Sequence, residues 1–211
     1  MKRVTYSAFG VASEVLEMSE CEIPTPGIGE VLVRLVYSAV NPSDVKVRAG
    51  GRPGVTAPAF PQIIPHSDGA GVIEAVGIGA PKSLIGQRVW IWNGQWGRPF
   101  GTAATHIVVP VSQAVPMPDE VSFEVGACLG IPGLTATQTV FGAGDVSNKT
   151  VLVQGAGGTV GYLAMQLARW GGARVIATAR EADWERCKDA GADAVVDFSA
   201  PEVTNQILAA A

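Results

Sequence analysis

The sequence predicts an α/β chain in two parts: a compact β unit over residues 1–120, then half of a doubly wound parallel sheet over 121–211. Three observations carry this. Up to about residue 120, short alternating apolar stretches are broken by Gly and Pro, as in small barrels and sandwiches. From Val121 onward helical spacing appears, and strand-like segments then alternate with helix-like ones. Inside that second part, VLVQGAGGTVGYLAMQLARW (151–170) reads as strand, glycine turn and helix.

In order, the strands of the first part are VLVRLVYSAV (31–40), GVIEAVG (71–77), RVWIW (88–92) and ATHIVVP (104–110), with turns such as PTPGIGE and APKSLIG between them. One helix interrupts the series. Asn41 can cap it, Pro42 suits its first position, and Gly50-Gly51 ends it. In the second part SFEVGACLG and LTATQTVFGAG carry helical spacing. TVLVQ, ARVIATA and AVVDF then read as parallel strands separated by VGYLAMQLARW and EADWERCKDAG. Val160, Leu163, Ala164, Leu167 and Ala168 share one helical face, and Gly171-Gly172 and Gly191 stop the helices.

The glycines define the chemistry expected. A helix that follows a buried strand presents free N–H groups, and its dipole favours an anion. Side chains there would hold a pyrophosphate away, so Gly155, Gly157, Gly158 and Gly161 point to a dinucleotide phosphate. A tight turn without a ligand is the plain alternative.

Composition narrows the class. The 211 residues are 47% hydrophobic and 16% charged, with 26 Gly and 14 Pro, which is a globular composition. A net charge of −4 gives no electrostatic case for nucleic acid or an anionic membrane. Cys21, Cys128 and Cys187 are too scattered for a disulfide framework, no apolar run reaches membrane-spanning length, and the opening residues meet Glu14 and Glu17 before any apolar core of a signal peptide. A cytoplasmic location is expected.

QGAGGTVGYLAMQLAR resembles the glycine signature of the zinc-independent quinone oxidoreductases, the ζ-crystallin-like branch of the medium-chain dehydrogenase/reductase superfamily. NPSDVKVRAG (41–50), PHSDGAGVIEAVG (65–77), GQRVW (86–90), GTAATHIVVP (101–110) and GIPGLTAT (130–137) agree in order. Thr159 departs from the glycine that relatives more often carry. The resemblance implies a GroES-like β-barrel followed by the first half of a Rossmann domain, with the C-terminal part of the family fold absent. It implies reduction of a quinone or activated alkene (enone) by NADPH, in a homodimer when full length. The competing class is a non-catalytic, crystallin-like NADPH-binding protein, since no acid–base group is evident and no catalytic residue is assigned.

The same resemblance implies cofactor contacts at Asn41, Lys46, Thr135, Ala156, Gly157, Gly158, Thr159, Val160, Gly161, Thr178 and Arg180, and an acceptor pocket at Asn41, Trp92 and Trp96. Lys46 is equally readable as a solvated lysine, Asn41 as a plain cap and Thr135 as a structural threonine. Trp90 and Trp92 share one strand face, so at least one is expected in the core. No metal is expected: the zinc enzymes carry Cys where this chain has Asn41 and His where it has Ser67. Asp68 stands at their acidic ligand, with His66 one place off, and Asn and Ser are poor zinc ligands. Arg180 follows the second parallel strand, where NAD-dependent relatives carry Asp. An arginine there suits the 2′-phosphate of NADPH; the alternatives are a surface arginine at a helix start, since Glu181 and Asp183 follow closely, and Glu181 as the rival that would hold a ribose diol. Because only three strands of a six-stranded domain are present, the chain is expected to be a portion of a longer enzyme, or a short form completed by a partner. The strand Val151–Gln154 is then expected at an open edge.

Overall fold

The computed structural model describes residues 1–51 and 53–211. In chain order the elements are β1 (Lys2–Thr5), α1 (Ala12–Val15), β2 (Glu17–Glu20), β3 (Glu30–Ala39), α2 (Pro42–Arg48), β4 (Asp68–Val76), β5 (Arg88–Ile91), β6 (His106–Pro110), β7 (Ala114–Pro116), α3 (Phe123–Ala127) and α4 (Gly130–Phe141). They continue with β8 (Thr150–Gln154), α5 (Thr159–Trp170), β9 (Arg174–Ala179), α6 (Trp184–Asp189), β10 (Ala194–Asp197) and α7 (Val203–Ala210). The chain divides into two compact units, Met1–Ile131 and Pro132–Ala211. The expected fold class holds: antiparallel β structure first, then a parallel sheet with helices.

In the first unit β3 pairs with both β4 and β6, and the five-stranded order is β6-β3-β4-β5-β7. Val31, Leu32 and Val33 are all buried in succession: Val31 and Val33 alternate onto the core face, and Leu32 between them is buried on the other face. The register shift between Leu32 and Val33 belongs to β4, where Glu74 is the extra residue, and the pairing of β3 with β6 runs through unbroken. Val31, Val33, Ile73, Val89, Ile91, Ile107 and Val109 form the core of this unit. Val89 and Ile91 are the inward residues of β5, so neither Trp90 nor Trp92 reaches the core: the expectation had the wrong face. Backbones approach closely here. A methyl group on Gly77 would lie 1.6 Å from the Gly27 carbonyl oxygen, and one on Gly71 would lie 2.1 Å from that of Arg34. The β1–β2 pair was not anticipated; its short segments carry no clear alternation.

In the second unit the three-stranded order is β10-β9-β8, with both pairings parallel, so β8 stands at an edge as expected. β9 lies between its neighbours, and Val175, Ile176, Ala177, Thr178 and Ala179 are all buried. Helix α5 buries Ala164, Met165 and Ala168 against the sheet, whereas Val160, expected on that face, is 37% exposed. The buried stripe is rotated toward Gly161 and Met165. At Gly161 the first turn of α5 lies directly on the strand exit, where a methyl group would be 2.3 Å from the Gly155 carbonyl oxygen, and this fixes which face the helix turns inward. Among the described residues no helix is long and apolar enough to cross a membrane.

Candidate functional site

The turn after β8 is fixed from β9. Gly155 leaves the strand at φ +68°, a conformation that favours glycine. Its N–H donates to Thr178 Oγ1 at 3.2 Å, and the next amide, of Ala156, donates to the Thr178 carbonyl at 2.9 Å. Thr178 is itself buried, so one residue of β9 anchors both amides. Gly158 then caps α5. The Tyr162 N–H donates to the Gly158 carbonyl at 2.8 Å, which leaves the amides of Thr159, Val160 and Gly161 ahead of the first helical bond. These amides and the positive end of a 12-residue helix are the groups of the turn that suit an anion.

The glycines here serve different purposes. A methyl group on Gly161 would lie 2.3 Å from the Gly155 carbonyl oxygen, so helix and strand pack through that position. A methyl group on Gly157 would lie 2.5 Å from Asp183 Oδ2. Gly158 differs: the nearest atom to such a methyl is 3.4 Å away, and φ is −81°. Among the described residues neither a close contact nor a positive φ requires glycine at 158. The turn is therefore a backbone cradle that a side chain would fill, and a dinucleotide pyrophosphate fits it.

Arg180 immediately follows β9 and is exposed. The acid against the turn is Asp183, while Glu181 is exposed. Arg186 donates from Nη1 to the Gly157 carbonyl at 3.3 Å, and its guanidinium lies 4.0 Å from the centroid of the Tyr162 ring. Sequence reading gave neither Asp183 nor Arg186 a place in the site. Each meets Gly157 from more than 25 residues away, and their only sequence signal is that they follow the second parallel strand.

In the first unit Asn41 caps α2, and its backbone N–H donates to Asp44 Oδ2 at 2.7 Å. Its Nδ2 donates to Asp68 Oδ2 at 2.8 Å, and the same oxygen accepts the Ile131 N–H at 2.7 Å. Asp68 is 0% exposed and its other oxygen has no hydrogen-bond partner among the described residues. Burial raises its pKa to about 6 against the two hydrogen bonds that lower it, and the Asp44 charge raises it a little further. Burial likewise raises Asp44 and lowers His66. His66 Nδ1 meets Ser38 Oγ at 3.0 Å; that hydroxyl meets Thr102 Oγ1 at 2.9 Å, and Thr102 Oγ1 donates to the Asp68 carbonyl at 2.7 Å.

The structure thus gathers Ala156, Gly157, Gly158, Thr159, Val160, Gly161, Thr178 and Arg180 about the ends of β8 and β9. Asn41 is joined to Asp68, a partner that sequence reading named only in connection with zinc. Lys46 and Thr135 are exposed on α2 and α4. Trp92 donates from Nε1 to the Ser112 carbonyl at 3.0 Å, and Trp96 is 71% exposed.

Residues 27–119 match the alcohol dehydrogenase GroES-like domain family. The chain is 34% identical, over 96% of its length, to the chloroplastic quinone-oxidoreductase QR1 of Triphysaria versicolor, and spans 62% of that protein. Among solved structures it resembles an NAD-dependent alcohol dehydrogenase, with 34% identity and a TM-score of 0.84, covering 98% of this chain and 66% of that one. It also resembles a mycobacterial protein complexed with NADPH, with 32% identity and a TM-score of 0.75, covering 95% of this chain and 59% of that one.

Proposed function

We propose, for a chain that belongs to the medium-chain dehydrogenase/reductase superfamily, that the protein passes reducing equivalents from NADPH to a small quinone or activated alkene. The observation that carries this is Gly158, a glycine with space around it at the mouth of a helix whose first bond back to that glycine starts only at the Tyr162 N–H. Such a cradle suits the pyrophosphate, with Thr159, Val160 and Gly161 donating and Ala156 and Thr178 holding the turn in shape. When bound, the nicotinamide supplies the hydride, so the protein is needed to bind, orient and exclude water. Arg180 is the cation offered to a 2′-phosphate, by charge-assisted hydrogen bonds. We assign Asn41, Lys46 and Thr135 to the nicotinamide end and Asn41, Trp92 and Trp96 to the acceptor on the family resemblance. The support for Asn41 is that its amide is held by Asp68 rather than free to rotate.

Calorimetric titration of NADPH into the full-length protein, wild type and Gly158→Val, tests the reading, together with NADPH oxidation across a panel of quinones and enones. Expected are binding by the wild type, at least tenfold weaker binding by the variant with a melting temperature within about 5 °C of the wild type, and turnover with at least one acceptor. A wild type that binds no NADPH, or turns over none of the acceptors, overturns it.

A further inference from the structure

The carboxylate of Asp183 occupies a particular place on the glycine turn. It comes close enough to Gly157 that a methyl group there would lie 2.5 Å from Oδ2 and 2.8 Å from Cγ. It is half-buried, and among the described residues no lysine, arginine or histidine forms an ion pair with it. The nearby Arg186 is otherwise engaged, on the Gly157 carbonyl and the Tyr162 ring. An ionised carboxylate only accepts hydrogen bonds and repels phosphate. Beside a turn whose amides take the pyrophosphate, the part of a dinucleotide that offers donors is the ribose of its adenosine half.

We propose that Asp183 is a specificity-determining residue of this site: it accepts from the adenosine ribose hydroxyls and so favours NADH, in opposition to Arg180, which favours NADPH. The site then takes both cofactors with a muted preference, set by the balance of one acid and one base. Asp183 reaches the turn from three residues beyond Arg180, so the two side chains need not exclude each other. The inference rests on the dinucleotide reading given above, and its test separates the two.

Dissociation constants for NADH and NADPH are measured by fluorescence titration of the full-length protein, as wild type, Asp183→Asn, Asp183→Ser and Arg180→Ala. The wild type is expected to bind the two cofactors within about tenfold of each other. Asp183→Asn and Asp183→Ser are expected to weaken NADH and tighten NADPH, moving the ratio of the two constants by about tenfold or more. Arg180→Ala should move it in the opposite sense. An equal change for both cofactors in both Asp183 variants, or no change, makes Asp183 a packing residue and overturns the proposal while the dinucleotide reading stands. Binding of neither cofactor by the wild type overturns both.

Discussion

Burying a carboxylate without a paired cation costs free energy, and among the described residues Asp68 has no ion pair and is held by two N–H donors on a single oxygen. Its folded pKa of about 6 lies above the ordinary 3.8. The sign follows: the proton is bound more tightly in the folded state, so stability is fully present below about pH 4 and is lost as pH rises through 6. The size is on the order of 2–3 kcal/mol. Asp68→Asn keeps the shape and removes the charge, so the difference between variant and wild type in urea melts should grow in the variant's favour from pH 4 to about 6.5. A difference that stays flat over that range would acquit Asp68. At Arg180 the expected outcome is about ten- to a hundredfold weaker NADPH binding in Arg180→Ala with NADH nearly unchanged, given an exposed charge-assisted bond. Direct titration of both cofactors checks it. At this scale the sequence is legible where a side chain acts on its neighbours, as Asn41 does in capping α2. It is not legible where contact depends on how a distant turn is bent, as with Asp183 on Gly157.

Among elements, the glycine turn and α5 were readable because the strand, the turn and the amphipathic helix are contiguous, and each has its own period. The rotation of the buried stripe from Val160 to Met165 was not readable, since it is set by where α5 must begin relative to β8. The turn allows a paired prediction. Gly161→Ala forces a methyl group against the Gly155 carbonyl and should destabilise the protein by about 1–3 kcal/mol. At Gly158 a Cβ meets ordinary contact distance at an allowed backbone conformation, so Gly158→Val should cost on the order of 1 kcal/mol, chiefly as a poorer N-cap, while weakening the dinucleotide. Denaturant melts beside cofactor titrations separate the two effects; equal destabilisation by both changes would mean that Gly158 is structural as well. On β3 the period-2 reading located the strand and the shared face of Val31 and Val33, but the burial of Leu32 on the opposite face depends on what covers the sheet there, which has no local signal.

For the whole molecule, the switch from β punctuation to alternating strand and helix told the two parts apart, because a parallel sheet requires crossover helices whose spacing is visible in one dimension. Each unit has its own apolar cluster, Val31 to Ala114 in the first and Ala136 to Cys187 in the second. Met165 lies fully buried in the latter, so Met165→Ala should cost about 2–5 kcal/mol. Hydrogen exchange read by mass spectrometry should show the loss in β8, β9 and α5, with β3 and β4 still protected. Equal loss of protection in both units would show one cooperative structure rather than two. What one dimension did not show was the β1–β2 pair and α7, whose segments are short and weakly patterned.

The close backbone contacts at Gly77 and Gly71 bear on how a mutational survey of this protein would read. Substitutions at those two positions, like those at Gly161, lower the stability of the fold itself, so survival or abundance screens would score them alongside ligand contacts. Intolerance alone therefore carries no information about function at most glycines in this sequence. Gly158 is the informative exception. Its substitutions should pass a screen for abundance and fail a screen for dinucleotide capture, so the difference between the two maps, rather than either one, marks the site.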